Sequence, residues 1–151
     1  MTLAFDPAAL TLPAAHFIGG TFIDGPEEIA VTAPSSGQAL RAIPCADAAM
    51  VDRAVETARA ALASSGWGGL MPRDRLRAMH RWADLIEAEA AHLARLEAVA
   101  SSRPVAQAVT GDVLVTAEQI RFFAEFADKE GGELVPTSDA QMGFISAHPY
   151  G

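Results

Sequence analysis

The spacing of hydrophobic positions divides the chain into a β-rich start, a helical middle and an extended end. Two short apolar runs flank Gly19-Gly20, and Asp24-Gly25-Pro26 follows the second run, which predicts a β-hairpin. A third strand is predicted over residues 29–33 and a fourth over residues 39–43, because the turn sequence Pro34-Ser35-Ser36-Gly37 separates them. A sheet this small is marginal alone and needs a surface to pack against.

Apolar positions at helical spacing then predict three long helices. The first begins at an N-cap, Asp47, and ends in a serine–glycine turn. The second begins at Pro72 and continues without a break to about Ala100. The third begins at Pro104, because the residue before a proline avoids the α conformation, and its predicted apolar face includes Phe123.

The end of the chain is predicted to be extended. Residues 142–148 have the composition of a strand, and Pro149-Tyr150-Gly151 is a turn signal after it. We expect this apolar strand to have no partner in the chain, and an unpaired strand invites pairing with another molecule. The predicted fold class is α+β and mostly α: long helices, a small N-terminal β-hairpin region and a C-terminal β-strand. Residues 1–15 are predicted to be a lead-in segment.

Composition narrows the function classes. The chain has 151 residues, half of them hydrophobic, and a formal net charge of −8. An acidic chain without a basic stripe argues against nucleic-acid binding. No apolar run is long enough for a membrane span, and the start of the chain, which carries Asp6 and no positive region, does not resemble a secretory signal. A single cysteine agrees with a reducing compartment, so we expect a cytoplasmic protein.

The lone cysteine is the first candidate for chemistry. Cys45 precedes a predicted helix start, and a helix N-terminus favours a thiolate, so a small thiol enzyme is one interpretation. The structural interpretation is preferred, because a free cysteine usually packs as a small apolar side chain.

Other polar residues do not combine into a site. His80 and His92 lie twelve residues apart on one predicted helix, about 18 Å along its axis, which is too far for one metal ion. Glu87, Glu89 and Glu97 are predicted to lie on a solvated face, and the glycine pairs form no phosphate-binding motif. We therefore predict no catalytic, cofactor-binding or metal-binding residue in this chain.

Seven segments, in order, resemble the aldehyde dehydrogenase superfamily. The resemblance covers almost the whole chain from residue 16, with mild departures: Arg103 where lysine is usual, and Ser101-Ser102 where acidic and small residues are common. The segments are Phe17-Ile18-Gly19-Gly20-Thr21-Phe22-Ile23-Asp24-Gly25, Ala33-Pro34-Ser35-Ser36-Gly37-Gln38, residues 52–61, Trp67 with Arg75-Leu76, Ser102-Arg103-Pro104-Val105, residues 121–129 and His148-Pro149-Tyr150-Gly151.

The resemblance implies a parent enzyme that oxidises aldehydes to acids with NAD or NADP. In that family a cysteine thiolate attacks the aldehyde, hydride passes to the nicotinamide, and a glutamate activates water. These residues and the nucleotide-binding sheet correspond to sequence beyond residue 151. Cys45 does not match the nucleophile motif. The chain is therefore expected to be an N-terminal fragment, inactive alone, that binds no cofactor alone.

The resemblance also implies an architecture. Residues 16–151 would supply a small β region, helices that pack against the nucleotide-binding domain, and the first strand of a projecting oligomerisation sheet. Phe144, Ile145 and Ala147 are the possible oligomer interface. The expected partner is a second copy or a complementary chain. The alternative is a standalone helical module for self-association or partner binding, in which the exposed apolar faces are the binding surface.

Overall fold

Six short strands form three separate two-stranded antiparallel sheets in the computed structural model, which describes residues 4–148. In the first sheet Phe17 lies opposite Phe22, and Gly19 and Gly20 both take positive φ in the turn, which confirms the predicted hairpin. The strands are β1 (His16–Ile18), β2 (Thr21–Ile23), β3 (Glu27–Ile29), β4 (Ile43–Cys45), β5 (Glu133–Val135) and β6 (Gly143–Ile145).

The second sheet pairs the predicted third and fourth strands, but with shifted bounds. Ile29 lies opposite Ile43, so the paired residues are the outer ends of the two predicted segments. Closer to the turn only a single bridge joins Thr32 to Ala39. The turn takes up the rest of the segment, with Gly37 at φ +70°.

The third sheet corrects the expectation of an unpaired final strand. β6 pairs with β5, and Leu134 lies opposite Phe144. A turn in the long connection brings the strands together, and within it the Gln141 amide donates to the Ser138 carbonyl at 2.9 Å. The sequence has no two-residue hairpin signal here, which is why the pairing was missed. The predicted turn over Pro149-Tyr150-Gly151 lies outside the described residues.

The first helix follows its sequence signals. α1 (Ala48–Ser64) begins where the Asp47 carboxylate accepts a hydrogen bond from the Met50 amide at 2.8 Å. It ends before Gly66, which takes φ +71°. The prediction of one helix from Pro72 to about Ala100 was wrong.

That long segment is two helices, α2 (Pro72–Ala88) and α3 (Ala90–Ser101), separated at Glu89. Glu89 has φ −97° and ψ 12°, outside the helical region. No proline or glycine marks the break. Ala90 and Ala94 of α3 are buried against the segment that follows, so packing explains the change of direction.

The next helical segment contains a wide π turn. It runs as α4 (Val105–Gln107), a π-helix (Ala108–Val113), α5 (Leu114–Ala124) and a final 3₁₀ turn (Glu125–Asp128). In a regular α-helix, two side chains twelve residues apart point in directions that differ by about 120° around the helix axis. The π turn is wider, since the Leu114 amide donates to the Val109 carbonyl five residues earlier, and this wider turn offsets that angular difference. Val105 and Ala117, twelve residues apart, can then both face inward.

The core consists of small residues. α2 and α5 make the most extensive contact in the structure, and both bury alanines: Ala83 on α2, and Ala117 and Ala124 on α5. Among the described residues no leucine, isoleucine, methionine or aromatic side chain is fully buried. A second buried cluster joins α3 to the π-helix through Ala90, Ala94, Ala108, Val109 and Val113.

Ser102 gives a prediction about stability. It ends α3 with φ +64°, and it is the only described residue other than glycine with positive φ. This conformation costs a residue with a Cβ atom about 1 kcal/mol. Ser102→Gly is therefore expected to raise the free energy of unfolding by about 0.5–1 kcal/mol, measured by urea denaturation.

The matched control is Ser101→Gly, one residue earlier and still helical. It should lower the free energy of unfolding by about 0.5 kcal/mol, because glycine is unfavourable within a helix. If both variants shift stability in the same direction, the strain at Ser102 is not the cause.

Candidate interaction surfaces

The residues considered for chemistry lie apart. Cys45 is half-buried in β4, opposite Glu27, and its carbonyl lies so close to Gly25 that any side chain there would collide with it. His80 lies on α2 and His92 on α3, so the prediction of one shared helix was wrong. Over residues 4–148 there is no group of three or more histidine, cysteine, aspartate or glutamate side chains that could hold a metal ion.

Arg121 makes the main ionic link between helices. Its two terminal nitrogens contact both carboxylate oxygens of Glu87 at 2.6 and 2.8 Å, and one of them also contacts Asp84 at 2.6 Å. The Arg121 side chain is 28% exposed. Glu87 is exposed as predicted, but its carboxylate is paired rather than only solvated. No sequence signal linked Arg121 to carboxylates more than thirty residues away.

This geometry shifts two pKa values. The pKa of Glu87 is lowered, first because Arg121 donates hydrogen bonds to its carboxylate, while partial burial and the nearby charge of Asp84 oppose the shift. The pKa of Arg121 is raised because Glu87 and Asp84 accept its hydrogen bonds. A carboxyl whose pKa falls on folding stabilises the fold above its ordinary pKa. That contribution is lost as the pH falls through the lowered value.

The β5–β6 hairpin is an exposed apolar element. Leu134 is 76% exposed and Phe144, directly opposite, is 71% exposed. Ile145 is 55% exposed, and neighbouring strand residues point to opposite faces, so both faces of the hairpin present apolar area. The exposed Ala147 follows β6. All three residues predicted as a possible interface thus lie exposed on one segment, β6 and the residues just after it.

A second apolar surface lies on α5 and the turn after it. Phe122 packs edge-on against both Phe123 and Phe126, with ring centroids 5.3 Å apart in each pair. All three rings are more than 40% exposed. Phe123 was predicted to face inward but is 66% exposed, because the alanines of this helix occupy the contact with α2. On α2, Trp82 and Leu85 are exposed as well.

The total surface is large for the mass. The chain exposes 11040 Å². A folded monomer of 15.8 kDa is expected to expose about 7,300 Å². The excess is several times the share that one partner contributes to a standard protein interface, about 800 Å².

Comparison with known proteins identifies the family. The family model for the aldehyde dehydrogenase family matches residues 22–151, most of the chain. This chain belongs to the aldehyde dehydrogenase family. The prediction drawn from the seven sequence segments is confirmed.

Individual family members agree in sequence and structure. Aminoacetaldehyde dehydrogenase of Pseudomonas aeruginosa is 32% identical over 146 residues, 95% of this chain and 29% of that protein. Cytosolic 10-formyltetrahydrofolate dehydrogenase of Xenopus tropicalis is 33% identical over 132 residues, 86% of this chain and 15% of that protein. The P. syringae indole-3-acetaldehyde dehydrogenase AldA, in complex with NAD+ and IAA, matches with a TM-score of 0.87 at 30% identity, covering 93% of this chain and 29% of that one.

This chain spans only part of the length of the relatives that it matches. It covers between 15% and 33% of their length, and the shared part is the N-terminal segment of the aldehyde dehydrogenase fold, as predicted. The standalone helical module is not favoured, because the match extends through the helices and the β5–β6 hairpin. Across residues 4–148 no helix is long and apolar enough to cross a membrane.

The Arg121 link gives a prediction about pH. Arg121→Gln removes the hydrogen-bonding cation, so the pKa of Glu87 is expected to rise toward its ordinary value. Carbon-detected NMR titration of the glutamate side chains measures this. The contribution of the pair to stability should fade as the pH drops through the lowered pKa of the wild type, and the variant should lack that loss.

Arg81→Gln is the control for this experiment. Arg81 is exposed on α2 and has no ion-pair partner among the described residues, so the pKa of Glu87 should stay lowered in that variant. An unchanged pKa of Glu87 in Arg121→Gln would refute the link.

Proposed function

We propose that this chain is the N-terminal scaffold of an NAD(P)-dependent aldehyde dehydrogenase and is inactive by itself. The observation that carries the proposal is the excess exposed surface of about 3,700 Å². This excess includes exposed apolar side chains such as Phe122 and Phe144, and large exposed apolar patches mark binding surfaces, so we expect this surface to be covered in the working protein. Residues 1–15 form the lead-in and residues 16–151 the aldehyde dehydrogenase segment.

The apolar surface on α5 and the turn after it is proposed to contact the rest of the enzyme. Phe122, Phe123 and Phe126 present aromatic area on the side of α5 away from its buried alanines. Family resemblance suggests the nucleotide-binding domain as the cover for these helices. The residues for aldehyde chemistry and for the cofactor, NAD or NADP, would lie on that part. Analogy with AldA, which has been solved with NAD+, supports NAD as this cofactor.

The β5–β6 hairpin is assigned to subunit association. Phe144, Ile145 and Ala147 form the proposed oligomer interface, and a homo-oligomer or complementary chain is the partner. Each unpaired outer edge of the hairpin can accept another strand. The cytoplasm is the proposed location, in keeping with the single cysteine.

This proposal gives a prediction about activity. The purified 151-residue chain should not reduce NAD or NADP when supplied with indole-3-acetaldehyde or aminoacetaldehyde, measured by absorbance of the reduced nicotinamide. A nucleophile held near a bound nicotinamide is needed for this reaction, and the family residues that supply it correspond to sequence beyond residue 151. Sustained cofactor reduction above the buffer blank would overturn the claim of inactivity.

Native mass spectrometry of the protein from its own cells supplies the control. A much heavier single chain, or a complex with a second, larger chain, supports the scaffold. A mass of 15.8 kDa or a clean multiple of it would instead favour the standalone module.

The proposal also gives a prediction about the β5–β6 hairpin. Phe144→Ser should weaken subunit association in the assembled protein by about tenfold or more, since burying a phenylalanine contributes about 2 kcal/mol. Sedimentation velocity over a range of concentrations measures the change. Phe22→Ser is the matched control, because Phe22 is equally exposed on the β1–β2 hairpin. Equal effects of the two substitutions would refute a specific role for Phe144.

A further inference from the structure

A cavity of about 540 Å³ lies where the lead-in residues 5–12 meet the turn between β3 and β4 and the end of α3. Binding sites for small molecules generally have volumes of about 300–1,000 Å³. The proposed scaffold role uses the apolar surfaces of α5 and of the β5–β6 hairpin, and it leaves this cavity without a role.

One wall of the cavity is a hydrogen-bonded turn, and a second wall includes a buried residue of α3. In the turn, the Ala33 amide donates to the Gln38 carbonyl at 2.8 Å, and the Gly37 amide donates to the Ala33 carbonyl at 2.8 Å. The Leu40 amide donates to the Val31 carbonyl at 2.7 Å. From α3, the buried Val99 forms the second wall.

The lead-in forms the third wall, with one hydrogen bond inside it and one contact to α3. The Asp6 carboxylate accepts from the Ala8 amide at 2.9 Å and caps a short 3₁₀ turn, Pro7–Ala9. The Arg95 guanidinium lies 5.8 Å from the centre of the Phe5 ring, within cation–π range. Three separate segments of the chain therefore line one cavity.

The lining has one available cation. Leu10, Leu12 and Leu40 provide apolar area, and the hydroxyl of Ser35 lies among the polar groups. Two charged side chains line the cavity, Asp6 and Arg41. The Asp6 carboxylate accepts the capping hydrogen bond from the Ala8 amide and keeps its negative charge. The Arg41 guanidinium has no ion-pair partner among residues 4–148, so its donors are free for a ligand.

We propose that this cavity binds a small amphipathic carboxylate. The carboxylate pairs with Arg41, whose planar guanidinium can donate two parallel hydrogen bonds to it. The hydrocarbon part lies against Leu10, Leu12 and Leu40.

Isothermal titration calorimetry of the protein as isolated from its cells tests the proposal, with octanoate as the probe. Octanoate should bind, whereas octanol, which lacks the charge, and octylamine, which reverses it, should bind at least tenfold more weakly. Arg41→Ala should weaken octanoate binding by about tenfold or more, and Arg41→Lys should restore part of the loss.

Arg53→Ala is the matched control. Arg53 is exposed on α1, has no ion-pair partner among the described residues and does not line the cavity, so its removal should leave octanoate affinity unchanged. Because binding is read as heat, failure of aldehyde oxidation does not affect the result. No binding of octanoate at millimolar concentration, or equal affinity in wild type and Arg41→Ala, would overturn the proposal.

Discussion

Close packing of helices through alanine is the constraint on which the rest of this structure depends. Ala83 and Ala117 are fully buried on α2 and α5, and Ala94 and Ala108 are fully buried where α3 meets the π-helix. A methyl group allows two helix backbones to approach closely, but its burial contributes only about 0.8 kcal/mol. The internal contacts therefore set geometry more than they supply stability. Ile86 and Leu93 are only partly buried against this core, and many other large side chains, such as Phe122 and Leu134, are exposed.

The ionic contacts have a related role. Arg121 joins α5 to α2 through Asp84 and Glu87, with three contacts between 2.6 and 2.8 Å. Ion pairs near the surface generally contribute little net stability, since solvent and salt screen them. A bidentate contact between a guanidinium and a carboxylate is nevertheless directional. It fixes how α2 and α5 are aligned. It thereby also fixes the positions of the exposed side chains on these helices, which include Trp82 and Phe122.

Local features of this fold could be predicted from sequence, and features set by distant residues could not. The turn at Gly19-Gly20 and the N-cap Asp47 depend on residues a few positions away, and both were confirmed. The break at Glu89 has no local signal, because it follows from the packing of α3 against the π-helix. The candidate surfaces divide in the same way. The interface role of Phe144 is a prediction from the family resemblance, whereas the partners of Arg121 required the fold.

The misassigned face of α5 is informative for the same reason. Helical periodicity assumes one apolar side, and on that assumption Phe123 belongs with Ala117 and Ala124. In the structure the alanines are buried and Phe123 is exposed, as are Leu114 and Val115. The helix is therefore apolar on most of its circumference, a pattern typical of helices inside larger proteins. One side is satisfied by α2 within this chain. The exposed side chains on its other sides belong to the surface that the proposed scaffold role would cover, so the pattern of this one helix agrees with that proposal.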